Sequence, residues 1–149
     1  MGGNLTIKQL EAKANSIRKD IIRMLEEAGS GHSAGPLGLA DLVTTLYFDI
    51  MKVNPAKPDD PERDFFFLSN GHCVPVQYAT MAEAGYFPKE ELMTLRKWGS
   101  RLQGHPERKK LPGLENTSGP LGCGVSQGAG VAYTLQYIDR QPQRWVYVI

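Results

Sequence analysis

The chain has 149 residues, 41% of them hydrophobic and 22% charged, a makeup that supports one globular domain with a buried core. Lysine plus arginine number 17 against 16 for aspartate plus glutamate, so the formal charge of +1 excludes the basic face of a nucleic-acid binder and any acidic tail. The two cysteines, Cys73 and Cys123, form no Cys-x-x-Cys pair, Met1-Gly2-Gly3-Asn4 opens no signal-peptide core, and no apolar run is long enough to span a bilayer. The expectation is a cytoplasmic protein with no nucleic-acid or membrane partner.

Along the chain, Ile7, Leu10, Ala14, Ile17, Ile21, Met24 and Ala28 recur at helical spacing and predict a helix. Thr6 and Gln9 fit a capping box at its start, and Gly29 supplies the backbone freedom to end it. A loop from Gly29 to Gly38 follows. Leu39, Leu42, Val43, Leu46, Tyr47 and Ile50 predict a second helix, closed by Asn54-Pro55 because proline disfavours helical backbone at the residue before it. Residues 54–64, with Pro55, Pro58 and Pro61 among charges, read as an extended surface connection.

Phe65-Phe66-Phe67-Leu68 is short, wholly apolar and bounded by Asp64 and Ser69-Asn70-Gly71, as a strand buried on both faces of a parallel sheet would be. Helices are expected at about residues 74–84, ended by Gly85, and at about 88–97, with Pro88 at the first helical position. A glycine-containing loop from Gly99 to Gly124 leads into a helix. Its small residues Val125, Gly128, Ala129, Gly130 and Ala132 predict a face for close packing. Trp145 to Ile149 reads as a second buried strand. The fold class is α/β, an incomplete parallel sheet flanked by helices.

All three histidines sit in glycine-containing loops, as Gly31-His32, Gly71-His72 and Gly104-His105-Pro106. His72 follows the first strand closely, and the loops at the carboxyl ends of parallel strands line the ligand crevice of open α/β sheets. Imidazoles around such a crevice suit proton transfer on a polar substrate; loop histidines satisfied by backbone groups are the plainer alternative. The run Thr117-Ser118-Gly119-Pro120-Leu121-Gly122-Cys123-Gly124 enters a helix and reads either as an anion cradle or as a glycine-rich turn. It lacks the Gly-Lys-Ser/Thr ending of a nucleotide-binding loop. Cys123 stands near that helix start, where a thiol pKa can fall, but nothing nearby completes a nucleophile with a base. His72, Cys73, His105 and Cys123 match no ordinary zinc spacing, so no metal ligand is assigned.

Four stretches, in this order and spacing, resemble the transketolase family: Ser30-Gly31-His32, Leu68-Ser69-Asn70-Gly71-His72, Gly104-His105-Pro106-Glu107, and Gly119-Pro120-Leu121-Gly122 with Gly124. The likeness is strongest to the N-terminal subunit of transketolases split into two chains, through Gly85-Tyr86-Phe87-Pro88-Lys89-Glu90-Glu91-Leu92 and Gly99-Ser100-Arg101-Leu102-Gln103-Gly104-His105. It implies a diphosphate-binding-type domain over residues 1–149 and thiamine diphosphate with Mg²⁺ as the family's cofactors. It further implies transfer of a two-carbon ketol unit between sugar phosphates, in pentose phosphate metabolism. His32, His72 and His105 take the catalytic positions by this resemblance, and His72, Gly119, Pro120 and Leu121 the cofactor-binding ones.

Ser33-Ala34-Gly35 departs from the family's usual Pro-Gly-Gly or Pro-Gly-Ala turn, and Cys123 from its common glutamine. The family's Gly-Asp-Gly turn and later asparagine, which hold the metal, are absent, as is the glutamate supplied by a partner subunit. The expectation is a truncated domain that binds the cofactor weakly or not at all and is inactive alone. It would associate with itself or with a complementing C-terminal chain. A naturally shortened, non-catalytic homologue acting as a binding or interaction protein is the alternative.

Overall fold

The structure is a computed structural model that describes residues 5–149. Met1 to Asn4, read above as opening no signal peptide, lie outside the described residues. Helix α1 spans Ile7–Ala28 and buries Ala14, Ile17, Asp20, Ile21 and Met24. Its ends follow the sequence rules: Thr6 and Gln9 form the reciprocal capping box, and Gly29 closes the helix in the left-handed conformation at φ 61°.

Helix α2 begins at Ala34, earlier than expected, and runs to Thr45, continuing as a π-helical turn over Leu46–Ile50. Gly35, Pro36 and Gly38 therefore lie inside a helix rather than in a loop. Pro36 is tolerated because the amides of a first helical turn have no intrahelical acceptor. Gly35 is there for proximity, since a Cβ would sit 2.5 Å from Cys73 Sγ. The helical stretch closes at extended Met51, ahead of Asn54-Pro55.

Strand β1 spans Phe65–Phe67 and pairs in parallel with β2, Val146–Val148, in the register Phe65 to Val146, Phe66 to Tyr147 and Phe67 to Val148. Asp64 clasps the entry to both strands: its carboxylate accepts from the amides of Lys52 and Trp145, each at 2.8 Å. Phe66 and Leu68 join the core made with α1, α2 and helix α3, Val74–Ala84. Phe67 faces the other side, towards Gly128 of helix α4, Cys123–Tyr133, which continues as a π-helical turn over Thr134–Ile138.

Three expectations need correction. The helix foreseen at 88–97 is a short 3₁₀ turn over Lys89–Thr94, with Pro88 as its extended cap, because the chain must leave it to bury both Leu95 and Leu102. The close-packing face of α4 is Gly124 and Gly128, whereas Val125, Ala129, Gly130 and Ala132 are exposed. Strand β2 is half-buried, and Trp145 is 64% exposed, because among the described residues β2 has β1 on one edge only.

Candidate active site

The carboxyl end of β1 is where the histidine loops meet. After Phe67 the chain passes through buried Leu68 and Ser69 into a 3₁₀ turn, Gly71–Cys73, which leads directly into α3. This end is strapped from across the domain. Asn116 Nδ2 donates to the Leu68 carbonyl at 3.2 Å, Ser118 Oγ to the Ser69 carbonyl at 3.4 Å, and the Gly124 amide to Ser69 Oγ at 3.1 Å. Gly71 and Gly124 permit this contact: a Cβ on Gly71 would meet the Ser118 backbone at 2.7 Å, and one on Gly124 the Ser69 Cα at 2.7 Å. A backbone cannot yield as a side chain tip can, so both positions demand glycine.

The imidazoles of His32 and His72 lie 5.1 Å apart between ring centroids, tilted by 59°. His32 is exposed at the entry to α2, and His72 half-buried in the 3₁₀ turn. His105 belongs to the loop that Pro106 ties to the cradle, through the Ser118 amide donating to the Pro106 carbonyl at 3.2 Å. A Cβ at Gly119 would lie 3.9 Å from His105 Cδ2. Partial burial, then the positive fields of His32 and His72, then that of Arg96, push the His105 pKa below its ordinary value of 6.5. The three histidines therefore share one electrostatic neighbourhood.

Of the predicted cradle residues, Gly119 stands beside His105. Gly119 is half-buried, Pro120 exposed, and Leu121 70% exposed. Gly122 caps α4 in the left-handed conformation at φ 87°, and no atom lies within 4 Å of where a Cβ would stand on it. The first amides of α4 are already used: Cys123 donates to the Pro120 carbonyl, Gly124 to Ser69 Oγ and Val125 to the Gly122 carbonyl. Nearby, buried Asn70 Oδ1 has no hydrogen-bond partner among the described residues. The imidazoles and the loop backbone at Gly119 and Leu121 are donors that suit a diphosphate group, whereas Asn70 Oδ1 is an acceptor and calls for a donor instead. Among the described residues no group of three or more His, Cys, Asp or Glu is placed to hold a metal ion. Cys73 is buried, with its thiol pKa raised by that burial, while Cys123 is exposed.

A cleft of about 500 Å³ opens beside His105, lined by Arg96, Gln103, Glu107, Thr117 and Ser118 among others. A larger one, about 590 Å³, lies between Phe65, Phe67 and the far half of α4 and is lined by none of the histidines. Sequence reasoning missed Arg96 and Asn116, and named Ser118 only as part of the glycine-rich run, because their roles depend on contacts between distant segments.

Residues 9–144 match the family described as transketolase, thiamine diphosphate binding domain. The chain belongs to the transketolase family. It is 43% identical over 131 residues to the chloroplastic transketolase of Spinacia oleracea, covering 87% of this chain and 18% of that protein. Against one of the apulose-4-phosphate transketolase subunits of Phocaeicola vulgatus it is 40% identical over 128 residues, covering 86% and 45%. The transketolase structure from Leishmania mexicana superposes with a TM-score of 0.84 at 36% identity, over 93% of this chain and 22% of that one. The chain thus spans under a quarter of the full-length transketolases and about half of the split-enzyme relative. Among the described residues no helix is long and apolar enough to cross a membrane.

Proposed function

We propose that this transketolase-family chain supplies the diphosphate-binding half of a ketol-transfer site and works with residues of another chain or segment. The observation that carries the reading is the convergence of His32, His72 and His105 on the carboxyl end of β1, beside Gly119 in the loop that leads into α4. His72 and the backbone of Gly119 and Leu121, with Pro120 between them, would hold thiamine diphosphate. When bound, that cofactor supplies the nucleophilic carbon that ketol transfer requires. The lowered pKa of His105 favours its neutral imidazole, the form suited to accept a proton or a hydroxyl hydrogen bond. His32 stands at the outer rim, suited to sugar hydroxyls.

The metal ligands, Mg²⁺ among the candidates, and the remaining substrate contacts would come from outside these 149 residues, as the share of the relatives covered implies. A complementing C-terminal chain or a second copy is the natural supplier, and the substrates would be sugar phosphates. Two free thiols, one of them exposed, accord with a reducing cytoplasm. The test is a ketol-transfer assay with thiamine diphosphate and Mg²⁺. No turnover is expected from this chain alone, and turnover is expected once it is supplied with the remaining residues of a transketolase, falling roughly 10²-fold or more with His72→Ala. Undiminished turnover with His72→Ala would overturn the reading.

A further inference from the structure

Arg96 breaks two local rules at once. It is a non-glycine residue at φ 62°, a conformation that disfavours ordinary side chains, and its amide is fixed there by donating to the Leu102 carbonyl at 2.9 Å. Arg18, Arg63 and Arg101 each pair with a carboxylate, yet Arg96 has no ion pair or side-chain hydrogen bond among the described residues. Its guanidinium instead lies against the backbone of Gly104: a Cβ there would sit 2.6 Å from Arg96 Nη1 and 3.1 Å from Cζ. The next residue is His105, and both line the same cleft.

We propose that Arg96 is a positioning residue for His105, its guanidinium bracing the Gly104–His105 turn and keeping a fixed cationic charge beside the imidazole. This rests on the ketol-transfer reading for its purpose but not for its test. The turn Leu95 to Leu102 is anchored by two fully buried leucines, so the kink that aims Arg96 at Gly104 is held by the core. The groups facing His105 are His32 from the entry to α2, His72 from the turn after β1, Arg96, and Glu107 of its own loop. Only Arg96 carries a positive charge at every working pH. It favours the neutral imidazole, the form able to accept a proton. The arrangement also accounts for glycine at position 104.

The experiment is a pH titration of the imidazole carbon-bound protons by NMR in this 149-residue chain without cofactor, with His105 assigned through His105→Gln. In Arg96→Gln the His105 midpoint is expected to rise by roughly 0.3–1 pH unit while the histidine pair His32–His72 moves less. Arg96→Lys, which keeps the charge, should restore most of the wild-type midpoint while shifting the Gly104 amide signal. Gly104→Ala, which displaces the guanidinium without removing it, should raise the midpoint as well. An unchanged His105 midpoint in Arg96→Gln would overturn the proposal, and so would an equal rise in Arg96→Lys. Since no cofactor is present, either result leaves the thiamine diphosphate reading to its own test.

Discussion

Gly128 and Gly130 occupy one helix two residues apart, yet their surroundings differ completely. A Cβ at Gly128 would lie 2.5 Å from Val148 Cγ2 and press on strand β2, while one at Gly130 meets nothing within 4 Å. Gly128→Ala should therefore destabilise the fold by about 1–3 kcal/mol through overpacking. Gly130→Ala should stabilise it by about 0.5–1 kcal/mol by restricting the unfolded chain. Urea unfolding of the two variants against wild type checks both signs. Arg63 and Glu115 form a buried pair, in which burial pushes the Glu115 carboxyl up although Arg63 opposes it. Removing one partner strands the other, so Arg63→Ala should cost about 3–5 kcal/mol in the same assay. The small residues of α4 were legible as a packing device, but which of them touch the sheet was not, because that depends on how the helix is rotated against Val146 and Val148.

At the level of elements, α1 and α3 with their ends were readable from hydrophobic spacing, the capping box and the closing glycines. The start of α2 was not, since Gly35 and Pro36 carry the local signals of a loop, and only the approach of Cys73 explains glycine there. The 3₁₀ turn before Arg96 escaped for a similar reason: nothing in its apolar pattern foretells that Leu95 and Leu102 share the core. Glu83 ties α3 to α1 through Lys13 and to the 3₁₀ turn through Lys89. Burial pushes its carboxyl up, but Lys89 and Lys13 outweigh that and hold it below the ordinary 4.5. A depressed folded-state pKa contributes stability above the unfolded value that is lost as pH falls through the folded one. Glu83→Gln should thus unfold at lower urea than wild type near neutrality, by about 1 kcal/mol, with the gap closing as pH drops below 4.5.

Across the whole molecule, the site is assembled by contacts between segments far apart in sequence, from the loop before α2 to the start of α4. The motifs located His32, His72, His105 and the Gly119–Leu121 run, because loop glycines beside histidines stand out in a linear reading. The straps from Asn116 and Ser118 and the brace from Arg96 did not, since each side chain acts on a partner that folding alone brings near. The central claim is that the meeting point of the histidine loops receives the diphosphate end of thiamine diphosphate. The most direct test is an NMR titration of the folded chain with thiamine diphosphate, with unphosphorylated thiamine as the control. The account predicts dose-dependent shifts confined to the His72 and His105 imidazoles and the amides of Gly119 and of Leu121 to Gly124, weak and in roughly the millimolar range, and absent there with thiamine. Shifts confined to the cavity lined by Phe65, Phe67 and Leu135, or none at all in a folded protein, would contradict it.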